Sequence, residues 1–321
     1  MAVQAGSGSR PAVVSGGGRR AVSIIEVSPR DGLQNEARTL PTEAKAKLVA
    51  ELAAAGARRI EVTSFVRPES IPQLADADDL VSALSREEVD ASLIALVLNQ
   101  RGAGRALKHE RIDEVNFVVP CTSAFGHANQ GMSTEQAVAV VPAMSAAVRG
   151  AGRRFSVTLA VAFGCPYQGP VSRDQFLAVA GSVLRAGLDE LAIADTLGCA
   201  VPPQVTQRID ALSGMTDLPL RVHFHDTRRT GLANVWAAYQ AGVDRFDASA
   251  GGVGGCPFAP GAAGNVATED VAWMLGLAGV GPQVDPAAFA RIGQDLCRQL
   301  GTESRSGVGR SGLFPPPQAA P

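Results

Sequence analysis

Short apolar, β-branched runs alternate with helix-like runs from residue 22 to residue 300. The apolar runs are nearly continuous, which is typical of parallel strands buried on both faces. The predicted strands are Val22–Val27, Arg59–Thr63, Ser92–Leu98, Glu114–Val119, Ser156–Ala162, Glu190–Ala194, Pro219–Phe224 and Arg245–Ala248. The predicted helices are Thr42–Ala55, Asp76–Leu84, Ala103–Lys108, Thr134–Val148, Arg173–Ala186, Pro203–Leu212, Leu232–Ala241, Thr268–Leu277 and Pro286–Leu300.

Eight strand–helix units in a row favour a closed (β/α)8 TIM barrel of the α/β class over an open doubly wound sheet. No Gly-x-Gly-x-x-Gly follows the first strand, which argues against a dinucleotide-binding fold. The 321 residues suit one barrel with additions. We therefore expect a barrel domain over residues 21–302 that ends in an extra C-terminal helix. A flexible, Gly/Ser-rich extension is expected at residues 1–20, and an irregular tail at residues 303–321.

Composition excludes several classes of partner. The net charge is -2, so no basic excess indicates nucleic acid or an acidic membrane surface. No apolar run approaches the roughly 20 residues of a membrane span. The five cysteines are widely spaced, odd in number and without a CxxC pair, which is typical of reduced thiols. We expect a cytoplasmic protein with no nucleic-acid or membrane partner.

Polar side chains cluster where the predicted strands end. In a barrel of this kind, catalytic groups lie at the carboxyl ends of the strands and in the loops that follow them. This placement is the main argument from the residues alone that the chain is an enzyme. The polar residues at these positions are Arg30, Asp31, Glu61, Ser64, Asn99, Asp195, His223 and His225.

His223-Phe224-His225 is a His-x-His pair at the end of the seventh strand. Residues i and i+2 of a strand point to the same face, so both imidazoles can reach one ion in the barrel mouth. The alternative is a pair of hydrogen-bonded core histidines. Asp31 supplies a carboxylate and Asn265 an amide oxygen, and this donor set suits Mg²⁺ or Mn²⁺, with Zn²⁺ or Co²⁺ as alternatives.

Three further groups are candidates for chemistry. Arg30 can stabilise an oxygen on which negative charge develops, or it can form a structural ion pair with Glu61. The glycine-rich loop Gly251–Pro257 carries Cys256, which is either an acid or base on a moving loop or an inert thiol in a tight turn. His127 lies in the loop after the fourth strand and is a candidate substrate contact. The other four cysteines are expected to pack without a chemical role.

Several segments together resemble the 3-hydroxy-3-methylglutaryl-CoA lyase family. The likeness extends from about Val22 to Leu277 with matching order and spacing. The matching segments are Val27–Glu36, Glu61–Val66, Pro72–Asp76, Gly164–Tyr167, Ala194–Gly198, His223–Thr227 and Gly254–Asn265. The resemblance implies a carbon–carbon lyase that cleaves an acyl-CoA substrate into acetyl-CoA and a keto acid such as acetoacetate, with a role in leucine degradation.

The resemblance also implies roles for individual residues. The implied metal ligands are Asp31, His223, His225 and Asn265. The implied catalytic residues are Arg30, Asp31, Glu61, Asp195, His223 and Cys256, where Arg30 stabilises the acetyl-CoA enolate and Cys256 assists proton transfer. The expected substrate contacts are Arg30, Gln34, Ser64 and His127. Barrels of this family often form homodimers, so a homodimer is expected here.

The chain departs from the family's usual pattern in two loops. Arg228-Arg229-Thr230 stands where many members carry Tyr-Gly-Gln, and Phe125–Asn129 replaces a lysine-containing stretch. Added arginines can meet an extra carboxylate or phosphate, so a lyase for a different 3-hydroxyacyl-CoA in specialised metabolism is an alternative. An acyl-CoA condensing enzyme and a non-catalytic barrel are further alternatives.

Overall fold

The computed structural model describes residues 21–84, 89–256 and 259–314, and it describes the backbone alone for Cys256 and residues 259–263. The extension expected at residues 1–20 and the last seven residues of the expected tail lie outside the described residues. Within the described part, no helix is long and apolar enough to cross a membrane.

Eight parallel strands close into a barrel, as the sequence predicted. They pair in the order β1-β8-β7-β6-β5-β4-β3-β2, and β1 pairs with both β2 and β8 to close the ring. Val, Ile, Leu and Phe fill these strands, and such side chains pack well on a surface that is buried on both sides. The strands are β1 (Ser23–Glu26), β2 (Arg59–Ser64), β3 (Ser92–Val97), β4 (Glu114–Pro120), β5 (Arg154–Ala160), β6 (Glu190–Asp195), β7 (Leu220–Phe224) and β8 (Arg245–Ala248).

Eleven α-helices surround or extend the described barrel. The predicted helices are all present, and α5 begins with a capping box in which Ser133 and Gln136 satisfy each other's backbone N–H groups. The helices are α1 (Thr42–Ala54), α2 (Ala77–Ala83), α3 (Gln100–Ala106), α4 (Ser123–Gln130), α5 (Thr134–Gly150), α6 (Arg173–Leu184), α7 (Pro202–Ser213), α8 (Gly231–Gln240), α9 (Thr268–Leu277), α10 (Pro286–Leu300) and α11 (Gly307–Ser311).

The structure adds elements that the sequence pattern did not predict. Helix α4 begins after Thr122, whose hydroxyl accepts a hydrogen bond from the Phe125 N–H. Part of the segment expected to be irregular forms α11, which starts at a Ser306 cap and is held because the Asp270 carboxylate accepts the Ser306 hydroxyl at 2.7 Å. The remaining additions are 3₁₀ turns at Pro72–Leu74 and Ala250–Gly252, a π-helical turn at Ser28–Gly32, and two short antiparallel strand pairs, Gly164–Cys165 with Gly169–Pro170 and Gly255–Cys256 with Ala259–Ala263.

Charged side chains, rather than apolar ones alone, fill part of the barrel interior. The Arg59 guanidinium lies between the carboxylates of Glu114 and Glu190, with N–O distances of 2.8 and 2.9 Å. Arg221 is fully buried, and its Nε lies 3.2 Å from Glu190 and 3.6 Å from Asp247. A buried charge is tolerated only when it is paired, so each arginine in the barrel interior offsets the cost of burying the carboxylates beside it.

Candidate metal centre and active site

Asp31 lies in the π-helical turn that follows β1, where the chain leaves the barrel wall. Ser28 begins this turn and Pro29 follows it, and the backbone N–H groups of Arg30 and Gly32 both donate to the carbonyl of Val27. The turn is packed tightly, since a Cβ added at Gly32 would lie 2.9 Å from the Ser249 hydroxyl oxygen. This local geometry fixes the Asp31 carboxylate at the barrel mouth.

Asp31, His223 and His225 converge on one point. Their candidate ligand atoms all lie within 4.8 Å of one another. The Asp31 Oδ2 atom is 3.9 Å from His223 Nε2 and 3.6 Å from His225 Nε2, and the two imidazole centroids are 5.1 Å apart. Both imidazoles are buried, and two nitrogen donors beside one carboxylate form a donor set that suits a divalent ion. The three residues therefore form a possible metal site.

Asp247 orients His223. The register of β7 and β8 pairs these two residues, and Asp247 Oδ2 lies 3.2 Å from His223 Nδ1. With Nδ1 engaged, Nε2 is left to face Asp31. Burial alone would lower the pKa of His223, but the hydrogen bond to Asp247 and the charges of Asp31 and Asp247 outweigh it, so the pKa is raised. Sequence reasoning missed Asp247, although a carboxylate inside a short buried strand was a signal.

Arg30 links the possible metal site to Glu61 on the neighbouring strand. One guanidinium nitrogen lies 2.6 Å from Asp31 Oδ1 and the other lies 2.7 Å from Glu61 Oε2. Burial alone would raise the pKa of Asp31, but Arg30 first and the two histidines next hold that pKa well below its ordinary value. Gln34 accepts a weaker hydrogen bond from Arg30 at 3.4 Å. The structural ion pair with Glu61 is therefore present, and the guanidinium also lies beside the possible metal site.

Asn265 contacts Asp31 through its amide nitrogen. Nδ2 donates to Asp31 Oδ2 at 2.9 Å and to the Val253 carbonyl at 3.2 Å. The backbone of Asn265 forms an isolated bridge with His225, which brings it to the same end of the barrel. The amide thus fixes the carboxylate of Asp31, whereas the sequence led us to expect its oxygen as a ligand.

Asp195 organises a loop at the end of β6. Its two carboxylate oxygens accept the N–H groups of Cys199 and Ala200 at 3.0 and 2.9 Å. Burial, followed by the nearby Asp195 charge, raises the pKa of the Cys199 thiol to about 12, so this thiol is protonated at neutral pH. The buried Cys165 sulfur accepts a hydrogen bond from the Thr122 hydroxyl at 3.1 Å.

The other residues expected at the site lie on different elements of the barrel. Ser64 is buried at the end of β2, and His127 is exposed on α4. Within the described part of the chain, the Ser64 hydroxyl has no hydrogen-bond partner. The Cys256 side chain lies outside the described part of the structure, although its backbone belongs to the short strand Gly255–Cys256, which pairs with Ala259–Ala263. Asn116 on β4 was not predicted, and its amide donates to Glu61 at 3.4 Å.

Arg228 and Arg229 both make contacts within the protein. Arg228 donates to the carbonyls of Leu197 and Gly198 at 2.8 and 3.1 Å, and so connects the loops after β6 and β7. Arg229 has a positive φ of 59° and lies 3.2 Å from Asp226. Both side chains are exposed at the carboxyl ends of the strands, on the same side of the barrel as the possible metal site.

Known proteins are similar over most of this chain. The HMGL-like family model matches residues 21–296. An (R)-citramalyl-CoA lyase of Chloroflexus aurantiacus is 37% identical, covering 91% of this chain and 95% of that protein. A hydroxymethylglutaryl-CoA lyase of Bacillus subtilis is 40% identical, covering 79% and 85%. The structure of an HMG-CoA lyase from Acinetobacter baumannii, in complex with coenzyme A and 3-methylmalate, has a TM-score of 0.86 at 36% identity, covering 94% of this chain and 97% of that one.

Proposed function

Because this chain belongs to the HMGL-like family and is a carbon–carbon lyase, we propose that it cleaves 3-hydroxy-3-methylglutaryl-CoA to acetyl-CoA and acetoacetate. The observation that carries the proposal is the convergence of Asp31, His223 and His225 within 4.8 Å, with the Arg30 guanidinium 2.6 Å from Asp31. These three side chains would hold a divalent ion, Mg²⁺ or Mn²⁺. Asn265, whose amide nitrogen donates to Asp31, is the fourth candidate ligand through its amide oxygen, as the family resemblance implies.

The cleavage reaction requires two proton transfers and the stabilisation of an enolate. The substrate hydroxyl gives up its proton, the bond between the carbinol carbon and the carbon next to the thioester breaks, and that electron pair becomes the acetyl-CoA enolate. The enolate carbon then takes up a proton. A bound divalent ion would lower the pKa of the hydroxyl and orient it. The residues of this chain must accept the first proton, stabilise the enolate and deliver the second.

Arg30 is placed to stabilise the enolate oxygen. Its guanidinium is held from two sides by Asp31 and Glu61, so its position is fixed before a substrate arrives, and a preorganised cation stabilises charge without reorganisation. Glu61 and Asp195 are the two candidate acceptors of the hydroxyl proton. Cys256 is the candidate donor to the enolate carbon, as the family resemblance implies.

A second substrate is supported by a specific finding. The Chloroflexus relative is named for (R)-citramalyl-CoA, and it is similar over nearly its whole length. In that substrate a carboxylate is attached directly to the carbinol carbon, so the same bond cleavage yields a 2-keto acid, pyruvate, in place of acetoacetate. Arg228, exposed at the carboxyl ends of the strands, is a candidate residue for distinguishing the two carboxylate positions.

The test is to incubate the purified protein with each acyl-CoA and Mg²⁺ or Mn²⁺, and to identify the products by mass spectrometry. We expect acetyl-CoA and acetoacetate from 3-hydroxy-3-methylglutaryl-CoA, with a fall of about 100- to 1,000-fold in kcat/KM for Arg30→Met. The exposed Arg298 provides a matched control, Arg298→Met, which should retain full activity. Pyruvate from citramalyl-CoA at a much higher kcat/KM would establish the second substrate instead. Absence of acetyl-CoA from both would refute the proposed function.

A further inference from the structure

The loop root, defined here as Gly251–Gly255, connects the end of β8 to the loop that carries Cys256. It includes three glycines with positive φ: Gly251 at 70°, Gly252 at 64° and Gly254 at 116°. Such angles are rarely adopted by other residues, so the backbone of this segment is determined closely by its surroundings. A Cβ at Gly254 would also lie 2.8 Å from the Asn265 amide nitrogen. The loop root therefore lies directly against the possible metal site.

The segment after α10 holds the loop root from outside the barrel. The Arg305 guanidinium donates to the Gly254 carbonyl at 3.1 Å, and the Arg305 backbone N–H donates to the Gly251 carbonyl at 3.0 Å. The Ser304 hydroxyl donates to that same Gly251 carbonyl at 3.3 Å. These contacts join residues about 50 positions apart in the chain, so they are tertiary restraints rather than local turn geometry.

The loop after β1 holds the same segment from the opposite direction. The Glu36 carboxylate accepts the backbone N–H of Gly254 and attracts the Arg305 charge. The amide of Asn35 donates to the Gly255 carbonyl at 3.3 Å. The peptide groups on both sides of Gly254 are thus engaged, the N–H by Glu36 and the carbonyl by Arg305.

The loop root transmits this restraint to the candidate ligands. The Asn265 amide nitrogen donates at once to the Val253 carbonyl and to the Asp31 carboxylate. A displacement of Val253 or Gly254 therefore changes the environment of Asn265 directly. No residue of the segment after α10 was among the site residues that the sequence indicated.

We propose that Arg305 and Glu36 are positioning residues. They bind the two sides of Gly254 (a contact named here the clasp) and thereby fix the loop root, which precedes Cys256 in the chain and contacts Asn265. The catalytic part of this inference rests on the proposed function. The structural part does not, because the restraint on the loop root exists without a substrate. A hydrogen bond that involves a charged group contributes enough to change a local opening equilibrium by about tenfold.

The test uses the full chain with Arg305→Met, Arg305→Lys and Glu36→Ala, and with Arg298→Met as the charge-matched control on the exposed face of α10. Hydrogen exchange is followed by mass spectrometry on the peptide that covers residues 249–256, without substrate. We expect exchange of this peptide to rise about tenfold in Arg305→Met and Glu36→Ala, and to rise less in Arg305→Lys, which keeps the charge. The control should match the parent protein.

Two further measurements separate positioning from general stability. In Arg305→Met, alkylation of Cys256 by iodoacetamide should speed up about tenfold, and kcat should fall about tenfold while KM changes less than about threefold. Unchanged exchange at residues 249–256, or a rise of equal size in all barrel peptides, would overturn the proposal. If the exchange and alkylation changes appear but the parent protein cleaves neither acyl-CoA, the positioning role of Arg305 and Glu36 is supported and the proposed function is refuted.

Discussion

Replacing Asp247 by asparagine should weaken binding of a divalent ion without displacing a ligand. Asp247 Oδ2 lies 3.2 Å from His223 Nδ1, and only 5% of its side chain is exposed. The carboxylate fixes the tautomer in which Nε2 faces Asp31, and its negative charge makes that nitrogen a better donor. Asparagine preserves the shape and can still accept the N–H, but it removes the charge.

The expected loss of metal affinity follows from the position of Asp247 behind His223. Loss of a carboxylate behind a ligating histidine typically lowers metal affinity by 10- to 100-fold, or about 1.4–2.7 kcal/mol. Asp247 also lies 3.6 Å from Arg221, but that arginine keeps Glu190 at 3.2 Å, so the barrel should remain folded. We therefore expect the change to appear mainly in metal affinity.

Isothermal titration with Mn²⁺ at neutral pH measures this affinity, and a urea denaturation curve reports the stability of each variant. Asp244→Asn is the matched control, because Asp244 directly precedes β8, is 38% exposed and contacts Arg245 rather than a histidine. An affinity within about twofold of the parent value in a cooperatively folded Asp247→Asn protein would refute the role given to Asp247. Equal losses in both variants would show a general effect of charge instead.

Three other changes test separate parts of the structure. Asp31→Ala should weaken Mn²⁺ binding, measured by titration, by more than about 100-fold because it removes the anionic donor; retained binding would contradict the site. Burial raises the pKa of Glu269 to about 8, so between its ordinary value of 4.5 and about 8 the free energy of unfolding should fall as pH rises, by up to about 1.4 kcal/mol per pH unit. Glu269→Gln should reduce that slope in urea denaturation from pH 5 to 9, and an unchanged slope would contradict it. Arg59→Met should lower the free energy of unfolding by about 3 kcal/mol, because Glu114 and Glu190 lose a buried partner; no loss in denaturant would contradict this.

The barrel was predictable from the sequence because its elements are locally determined. Each strand is a short apolar run, and each predicted strand overlaps an observed strand. The helix α4 was missed since its eight residues include glycine and asparagine, and its start depends on the Thr122 side chain. The helix α11 was missed because Asp270, on another helix, provides the contacts that hold it. Both cases depend on contacts that the hydrophobic pattern does not encode.

The candidate ligands were predictable for a geometric reason. His223 and His225 are two residues apart on a strand, and Asp31 follows a strand of the same barrel, so the topology alone brings them to one end. Asp247 and Arg305 were not predictable in this way. Asp247 faces His223 through the register of two strands, and Arg305 reaches Gly254 from a segment beyond the last helix. Neither the register of two strands nor the course of the chain after its last long helix can be inferred from the hydrophobic pattern of one sequence.

The charges near the barrel mouth give a reason why a cation and an anionic substrate belong together here. Arg30 brings one positive charge, whereas Asp31, Glu61 and Asp247 bring three negative ones, and Arg221 lies closer to Glu190 than to Asp247. A histidine that binds a metal ion is uncharged, so before the ion's own charge is counted this group is net negative, and a net negative pocket repels a carboxylate or a developing enolate. On the proposed function, a divalent ion held by Asp31 and the histidines would offset this negative charge, and the enolate would then meet two cations, the ion and Arg30. Such an ion would contribute to substrate affinity as well as to cleavage, so the KM for the acyl-CoA should rise as free Mn²⁺ is lowered.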